Sequence, residues 1–468
     1  MKHKGYLPGL LLAFIILINC AGRDSKKIPS RITIYDVNQY YFKYKNKPVL
    51  LLGGSDEDNI FNHPQLMKDN IETLARIGGN YIRCLMSSSD EDNLYPFFQN
   101  EDGKFNLDLY NSEYWDRFEN FLRLTSKYDI IAQVEIWATH DFYRENWLHN
   151  PFNPVNNINY SIKEVRLKSE WPHHPSLKPQ PFFYNTIEGK VDSTLLKYQK
   201  KFVDKLLSIS LNYGNVLYVV DHDTRAPVDW AWYWANYIQQ QSRSVGKEIL
   251  ITEMWDSWNI KDEMHVHTYG HPALFAYIDI SQNNWQERTT HYNNILWLKG
   301  ILEKYGGGRP ITNMKVYQRR SGGRPSEPLV GLDRWWQNIF AGCAATRFHR
   351  PEDGTGLNKM SQNAIRSARN LINEFNIFEC KPHPELLSLG NRGDAYCLAK
   401  PGSLYAVYFS MGGMINLRIE NPDVSMDLRW FNPITGEFLK TVSIESKVAV
   451  ELISPDTLQP WIVVVKDW

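Results

Sequence analysis

The feature that most constrains this chain is a strand–helix alternation repeated eight times. Eight short apolar runs each end in polar and aromatic residues: KPVLLLGGSDED, GGNYIRCLMSSSD, YDIIAQVEIWATHD, NVLYVVDHDT, KEILITEMWD, LFAYIDISQNN, RPITNMKVYQ and GCAATRFHRP. Most are separated by stretches such as QLMKDNIETLARIG, YWDRFENFLRLTSKY and DWAWYWANYIQQQSRSVG, whose apolar residues recur every three or four positions. Short strands alternating with amphipathic helices predict a parallel sheet wrapped by helices, and eight such units predict a (β/α)8 (TIM) barrel of the α/β class. In a barrel of this kind the chemistry collects at the C-terminal strand ends. Here those ends carry Asp56, Glu57, Asp90, Glu135, Asp141, Asp223, Glu253, Asp256, Asp279, Asn283, Lys315, Arg347 and His349. A ring of carboxylates and amides around an open mouth suits binding and cleaving a sugar polymer.

The barrel is expected over residues 48–380. Ahead of it, residues 21–30 read as a polar tether. RITIYDVNQYYFKYKNK, up to residue 47, alternates as a hairpin that would close the bottom of the barrel. From residue 381 to 468 the pattern changes to short alternating strands with Gly, Pro and Asn between them, among them SLYAVYFS, SMDLRWFN and QPWIVVVKDW. These predict a C-terminal antiparallel β-sandwich, assigned to packing or accessory binding.

At the N-terminus, Lys2 and Lys4 precede an apolar core, Leu10 to Ile18, too short to span a bilayer. This is the pattern of an export signal over residues 1–20. Leu17-Ile18-Asn19-Cys20 resembles the lipobox of bacterial lipoproteins. The resemblance implies acylation of Cys20 and anchoring of the mature chain to a membrane, periplasmic or at the cell surface. Ordinary cleavage near Ala21 is the alternative.

Lys plus Arg equals Asp plus Glu at 52 each, which gives no support for a nucleic-acid partner. Aromatic residues make up 13% of the chain, including 16 Trp, enough to stack on sugar rings or to fill a barrel. Beyond Cys20, Cys84 and Cys343 fall inside predicted strands as small buried hydrophobes, and Cys380 and Cys397 could form a bridge. The cysteine spacing offers no zinc motif, and neither a cofactor nor a metal is expected. His265, His267 and His271 in DEMHVHTYGHP form an H-x-H cluster that could hold zinc or, more simply, line a cleft.

Strand alternation ranks the acids. Gln133, Glu135 and Trp137 share one face of their strand; Val219, Asp221 and Asp223 share another; Glu253 follows Ile251 on the next. Lys315 lies on the polar face of RPITNMKVYQ, and Arg347 and His349 on that of the last strand. Glycoside hydrolysis needs two carboxyl groups about the bond, one protonated and one ionised. Asp223 is expected as general acid and Glu253 as the second carboxylate. Asp56, Glu135, Trp137, Asn283, Lys315, Arg347 and His349 are expected to hold the carbohydrate. For each carboxylate an ion pair with Arg or Lys is the plainer reading. Trp147, Phe152 and Phe183, in the long segment after the third strand, are candidate stacking residues or pins for that loop.

The barrel-plus-sandwich layout and the run NVLYVVDHDT resemble exported bacterial glycoside hydrolases of the large retaining (β/α)8 clan, in an apiosidase-like arrangement. In that family the fourth strand ends in an Asn-Glu pair whose Glu is the acid/base, and the seventh ends in a Glu nucleophile. The resemblance puts His222 and Asp223 on the first pair and Lys315 where the nucleophile would stand. It therefore implies an O-glycosyl hydrolase with a departure at Lys315. Three readings stay open: a different carboxylate pair, inverting chemistry with Lys315 binding an acidic sugar, or a non-catalytic glycan-binding surface lipoprotein.

Overall fold

The computed structural model describes residue 1 and residues 30–466 apart from positions 287, 319–327, 353, 389–393, 421–424 and 446–447; Cys20 and the expected signal lie outside the described residues. Eight strands form one sheet: β1 (Leu51–Gly54), β2 (Tyr81–Leu85), β3 (Ile131–Trp137), β4 (Val216–Asp221), β5 (Ile251–Thr252), β6 (Ile278–Asp279), β7 (Ile311–Val316) and β8 (Ala345–Phe348). Their order is β5-β4-β3-β2-β1-β8-β7-β6, with every pair parallel. At the seam between β5 and β6, Ala276 N donates to Ile251 O at 3.0 Å, so the sheet curls into the expected barrel.

Helices α1 (Pro64–Arg76), α2 (Ser112–Lys127), α3 (Ser193–Ser210), α4 (Val228–Ser244), α5 (Arg288–Lys304), α6 (Pro328–Phe340) and α7 (Lys359–Glu374) form the outer layer. Local chemistry sets their starts. Pro64 opens α1, where its missing N–H is not needed. The Asp192 side chain accepts from Leu195 N to cap α3, and Asn358 does the same for α7. The buried face of α2 (Tyr114, Trp115, Phe118, Phe121, Leu122) follows the three- and four-residue spacing.

Gly53 lets β1 approach β2. It pairs with Tyr81, and a Cβ at this position would lie 1.9 Å from the Tyr81 carbonyl oxygen. Backbone cannot yield as a flexible side chain does. Gly53→Ala is therefore expected to destabilise the protein by at least the ~1–3 kcal/mol of ordinary overpacking. A lowered urea midpoint at unchanged slope would show it; an unshifted midpoint would mean the strands separate freely.

Three short strands, Thr33–Ile34, Phe42–Tyr44 and Lys47–Val49, pair antiparallel ahead of β1. Lys45 and Asn46 turn the second hairpin with φ of 49° and 62°, as a primed two-residue turn requires. Ile32 N donates to Gly214 O at 2.8 Å, just before β4, so this unit lies across the N-terminal end of the barrel.

After the barrel, antiparallel strands build a seven-stranded and a three-stranded sheet. Within the larger sheet, Tyr396, Leu398, Ala406, Tyr408, Ile462 and Val464 join the barrel core, while Cys397, Ala399, Tyr405, Val407, Val463 and Val465 form a second core with Leu417 and Leu452. The period of two thus gives each face its own partner. Tyr408 Oη (3.0 Å) and Ser410 Oγ (2.6 Å) both donate to Asp333 on α6, fixing the sheet to the barrel. Cys84, Cys343, Cys380 and Cys397 are all free thiols. The Cys380–Cys397 bridge considered from the sequence is not formed, because Cys380 packs in the barrel core and Cys397 in the sandwich core.

Candidate active site

A cavity of about 460 Å³ opens at the C-terminal ends of the strands. Its lining comes from Lys315 near the end of β7 and from the turns after β1 (Asp58), β2 (Asp90), β3 (His140, Asp141), β4 (His222, Asp223), β7 (Tyr317) and β8 (His349, Arg350). Asp223, Lys315 and His349 are therefore brought together as the strand pattern suggests. The register of β7 against β8 slips between Asn313 and Val316, and this irregularity spans Lys315.

Asp223 is the most constrained residue of the mouth. Its backbone is left-handed, with φ 48°, a conformation uncommon for residues other than glycine but more accessible to Asp than to most. Oδ2 pairs with Lys315 Nζ and lies 3.1 Å from His222 Nε2, and Oδ1 accepts from Gln282 Nε2 at 2.7 Å. Burial alone would raise the pKa of this carboxyl, but His222 and Lys315 hold it well below the usual range. Burial also keeps the His222 ring neutral, so His222 acts as a hydrogen-bond donor and the charge is that of Lys315. Asp223 is thus an ionised carboxylate, not the proton donor expected from the sequence.

A second network lies beneath the first. Arg83, with no exposed surface, reaches Glu135 through Nε (2.9 Å) and Nη2 (2.6 Å) and Asp58 through Nη1 (2.6 Å). Arg347 Nη2 reaches the other oxygen of Asp58 at 3.1 Å and also bonds Ser55, while Nη1 donates to Met314 O at 3.1 Å. His349 Nδ1 stands 3.7 Å from Asp58, and its ring meets Tyr317 edge-on. Burial would raise Asp58, but the cations around it, Arg83 foremost, hold it well below its ordinary value. Glu135 and Arg347 do not line the cavity: Arg347 pairs with Asp58, which does, and Glu135 pairs with Arg83, which reaches Asp58 from the other side. The ion-pair reading applies to Glu135.

Asp141 is the acid the sequence named but did not rank. Its carboxyl accepts from Ser87 Oγ (2.7 Å) and Ser88 N (2.8 Å). Burial outweighs these bonds and pushes it up to about 6. One cavity therefore holds a carboxyl raised to about 6 and another held well below the usual range.

Four expected residues lie elsewhere. Glu253 is buried, its Oε1 accepting from Asp221 N (3.0 Å) and Met254 N (2.8 Å), away from the cavity lining. Burial and the neighbouring Asp221 raise it well above the usual range. Asp221, raised likewise by burial, faces Trp230 of α4 (2.7 Å), so the two are carboxyls of the barrel wall. Trp137 packs on Phe202 and Trp234 of the helix layer at 5.1 and 5.3 Å, because at the last residue of β3 the side chain turns toward the helices. Asp56 accepts from Leu357 N (2.9 Å) and Asn70 Nδ2 (3.0 Å), tying the segment after β8 to α1. Asn283 bonds His291 O and Asn294 Nδ2, both at 3.0 Å, and so fixes the start of α5. Trp147, Phe152 and Phe183 are buried with Phe142 and Phe182, so they pin the long loop and do not stack on a ligand.

Among the described residues, His140, His222 and Asp223 bring three ligand-type atoms within 4.8 Å of one another, as do Glu57, His63 and Asp90. In the first group Lys315 already supplies a positive charge at Asp223. His265, His267 and His271 belong to neither: His265 bonds Ser257 O (2.9 Å), and His271 bonds His267 O (2.7 Å) and packs on Trp232.

No protein-family model and no curated protein matches the chain. Solved structures do. One described as a glycoside hydrolase superposes with a TM-score of 0.65 at 13% identity, over 93% of this chain and 97% of its own. A glycoside hydrolase family 5 protein from Bacteroides vulgatus ATCC 8482 gives 0.64 at 13% identity, over 93% of this chain and 92% of its own. At that identity the likeness establishes the fold: a (β/α)8 barrel with a C-terminal β-sandwich, shared across nearly the whole chain.

Proposed function

We propose that this protein hydrolyses glycosidic bonds at the barrel mouth, with Asp141 as the proton donor and Asp223 as the ionised carboxylate. The observation that carries the reading is that two carboxyls lining one cavity are displaced in opposite directions, Asp141 up and Asp223 down, the separation that acid–base sugar chemistry requires. The fold shared with proteins described as glycoside hydrolases supports it. In this reading Lys315 keeps Asp223 ionised, and Asp58, His349 and Tyr317 face the bound sugar.

A second reading, a glycan-binding protein without catalysis, is favoured by the Lys315 contact itself. An ammonium on the carboxylate weakens it as nucleophile or base. Incubation of the protein with a panel of polysaccharides and aryl glycosides separates the two. Release of reducing ends supports hydrolysis, and NMR of the first anomer formed then gives the stereochemistry. Binding without release supports the second reading, and neither binding nor release removes both.

A further inference from the structure

The depression at the mouth continues beyond Asp223. A cavity of about 670 Å³ shares His140 and Asn146 with the central one and runs past Trp171 in the loop after β3. A third, of about 580 Å³, shares His174 with the second and lies between the turns after β4, β5 and β6. Each is of a size that by itself takes a small ligand. A single sugar at Asp223 would leave the outer two filled with water.

The outer cavities carry the two surfaces a sugar ring presents partners for. Trp258, 59% exposed, offers a large apolar face to solvent at the far end, and Trp285 lines the same cavity. An aromatic face open to water beside a cavity can take the apolar face of a sugar ring. Arg225 Nε and Asp256 Oδ2, paired at 2.7 Å, set fixed polar groups in the same cavity as the tryptophans. The outer end is also tied to the inner one. Trp285 Nε1 donates to Gln282 Oε1 (3.0 Å), and Gln282 Nε2 donates to Asp223 Oδ1 (2.7 Å). A ligand seated on Trp285 thus bears on the side chain that orients Asp223.

We infer that the ligand is an oligosaccharide chain of several units, laid from the Asp223–Lys315 cavity outward to a stacking platform at Trp258. The inference rests on the carbohydrate reading above and adds the extent and direction of the bound chain. Calorimetric titration of the full chain with di- to hexasaccharides of the cellulose, xylan, mannan and galactan series tests it. In the series that binds, affinity should climb with length. Trp258→Ala should then remove about tenfold from the hexasaccharide, the worth of one aromatic contact, and leave the disaccharide unchanged. An unaltered melting temperature shows that the exposed substitution leaves the fold intact, and Trp258→Phe should restore part of the loss. Affinity independent of length, or a Trp258→Ala loss equal for di- and hexasaccharide, overturns the extended chain but leaves the carbohydrate reading standing. Binding of no saccharide in any series removes that reading, and this inference with it.

Discussion

Asp141→Asn should lower the turnover of a responding glycoside by about 10²–10⁴-fold, the range for loss of a positioned general acid. The pH profile gives the sharper readout. The acid must be protonated to act, and Asp141 titrates at about 6, so the wild-type rate should fall as pH rises through that value. Asp223, held well below the usual carboxylate range, should stay ionised over the same interval and add no acidic limb near neutrality. Asp141→Asn should abolish the alkaline limb, whereas Asp223→Asn should reduce the rate and leave that limb in place. With rising pH the stability contributed by Asp141 should fall along with the rate. A carboxyl whose folded pKa lies above its unfolded value favours the folded state fully below about pH 4. That advantage is lost as pH rises toward about 6. Asn carries no charge to bury and can keep the partners at Ser87 and Ser88. Asp141→Asn should therefore melt higher than wild type at pH 8, by at most about 3 kcal/mol, and match it near pH 4. Wild-type turnover in Asp141→Asn would sink the assignment.

Glu135→Gln should be among the most destabilising single changes in the barrel, at about 3–5 kcal/mol. Arg83 has no exposed surface, and its charge is balanced by Glu135 on one side and Asp58 on the other. Gln keeps the shape but removes the charge, leaving Arg83 and Arg347 facing Asp58 alone. Arg83→Met should cost a similar amount, because it strands Glu135. The two losses should fall well short of additivity in the double variant, which removes both charges together. Urea denaturation of the four proteins closes this cycle. Independent, additive effects would mean the network is solvated and does not act as a unit. Because Arg83 also holds Asp58, both single variants should weaken ligand binding where folding survives.

The scaffold is written in local periodicity. All eight apolar runs became barrel strands in the expected places, and the segments with three- and four-residue spacing became α1 to α4, because both patterns depend on neighbours close along the chain. The period of two carried less far. Inside the ladder it correctly put Gln133 and Glu135 on one side, since hydrogen bonds on both flanks hold the pleat. The mouth residues lie where those bonds run out. Asp141 stands four residues beyond the end of β3 and Asp223 two beyond β4, where contacts from other turns set direction. Asp56 and Asp58 share one short turn, yet only Asp58 reaches the cavity, because Asn70 and the Leu357 amide hold Asp56 aside. Trp137 continues the series of Glu135 but is drawn into aromatic rings supplied by α3 and α4.

Protonation was equally beyond the reach of pattern. Asp141, Asp221, Asp223 and Glu253 are alike as letters in strand-end runs. Burial raises Asp141 and, further, the wall groups Asp221 and Glu253, against the hydrogen bonds from Ser87 and Trp230, whereas His222 and Lys315 hold Asp223 down. Repetition along the chain thus suffices to specify a barrel with its reactive rim at one end, since each element needs only its own spacing. Which carboxyls meet, and in what charge state, depends on groups tens to hundreds of residues apart, and folding alone brings those together.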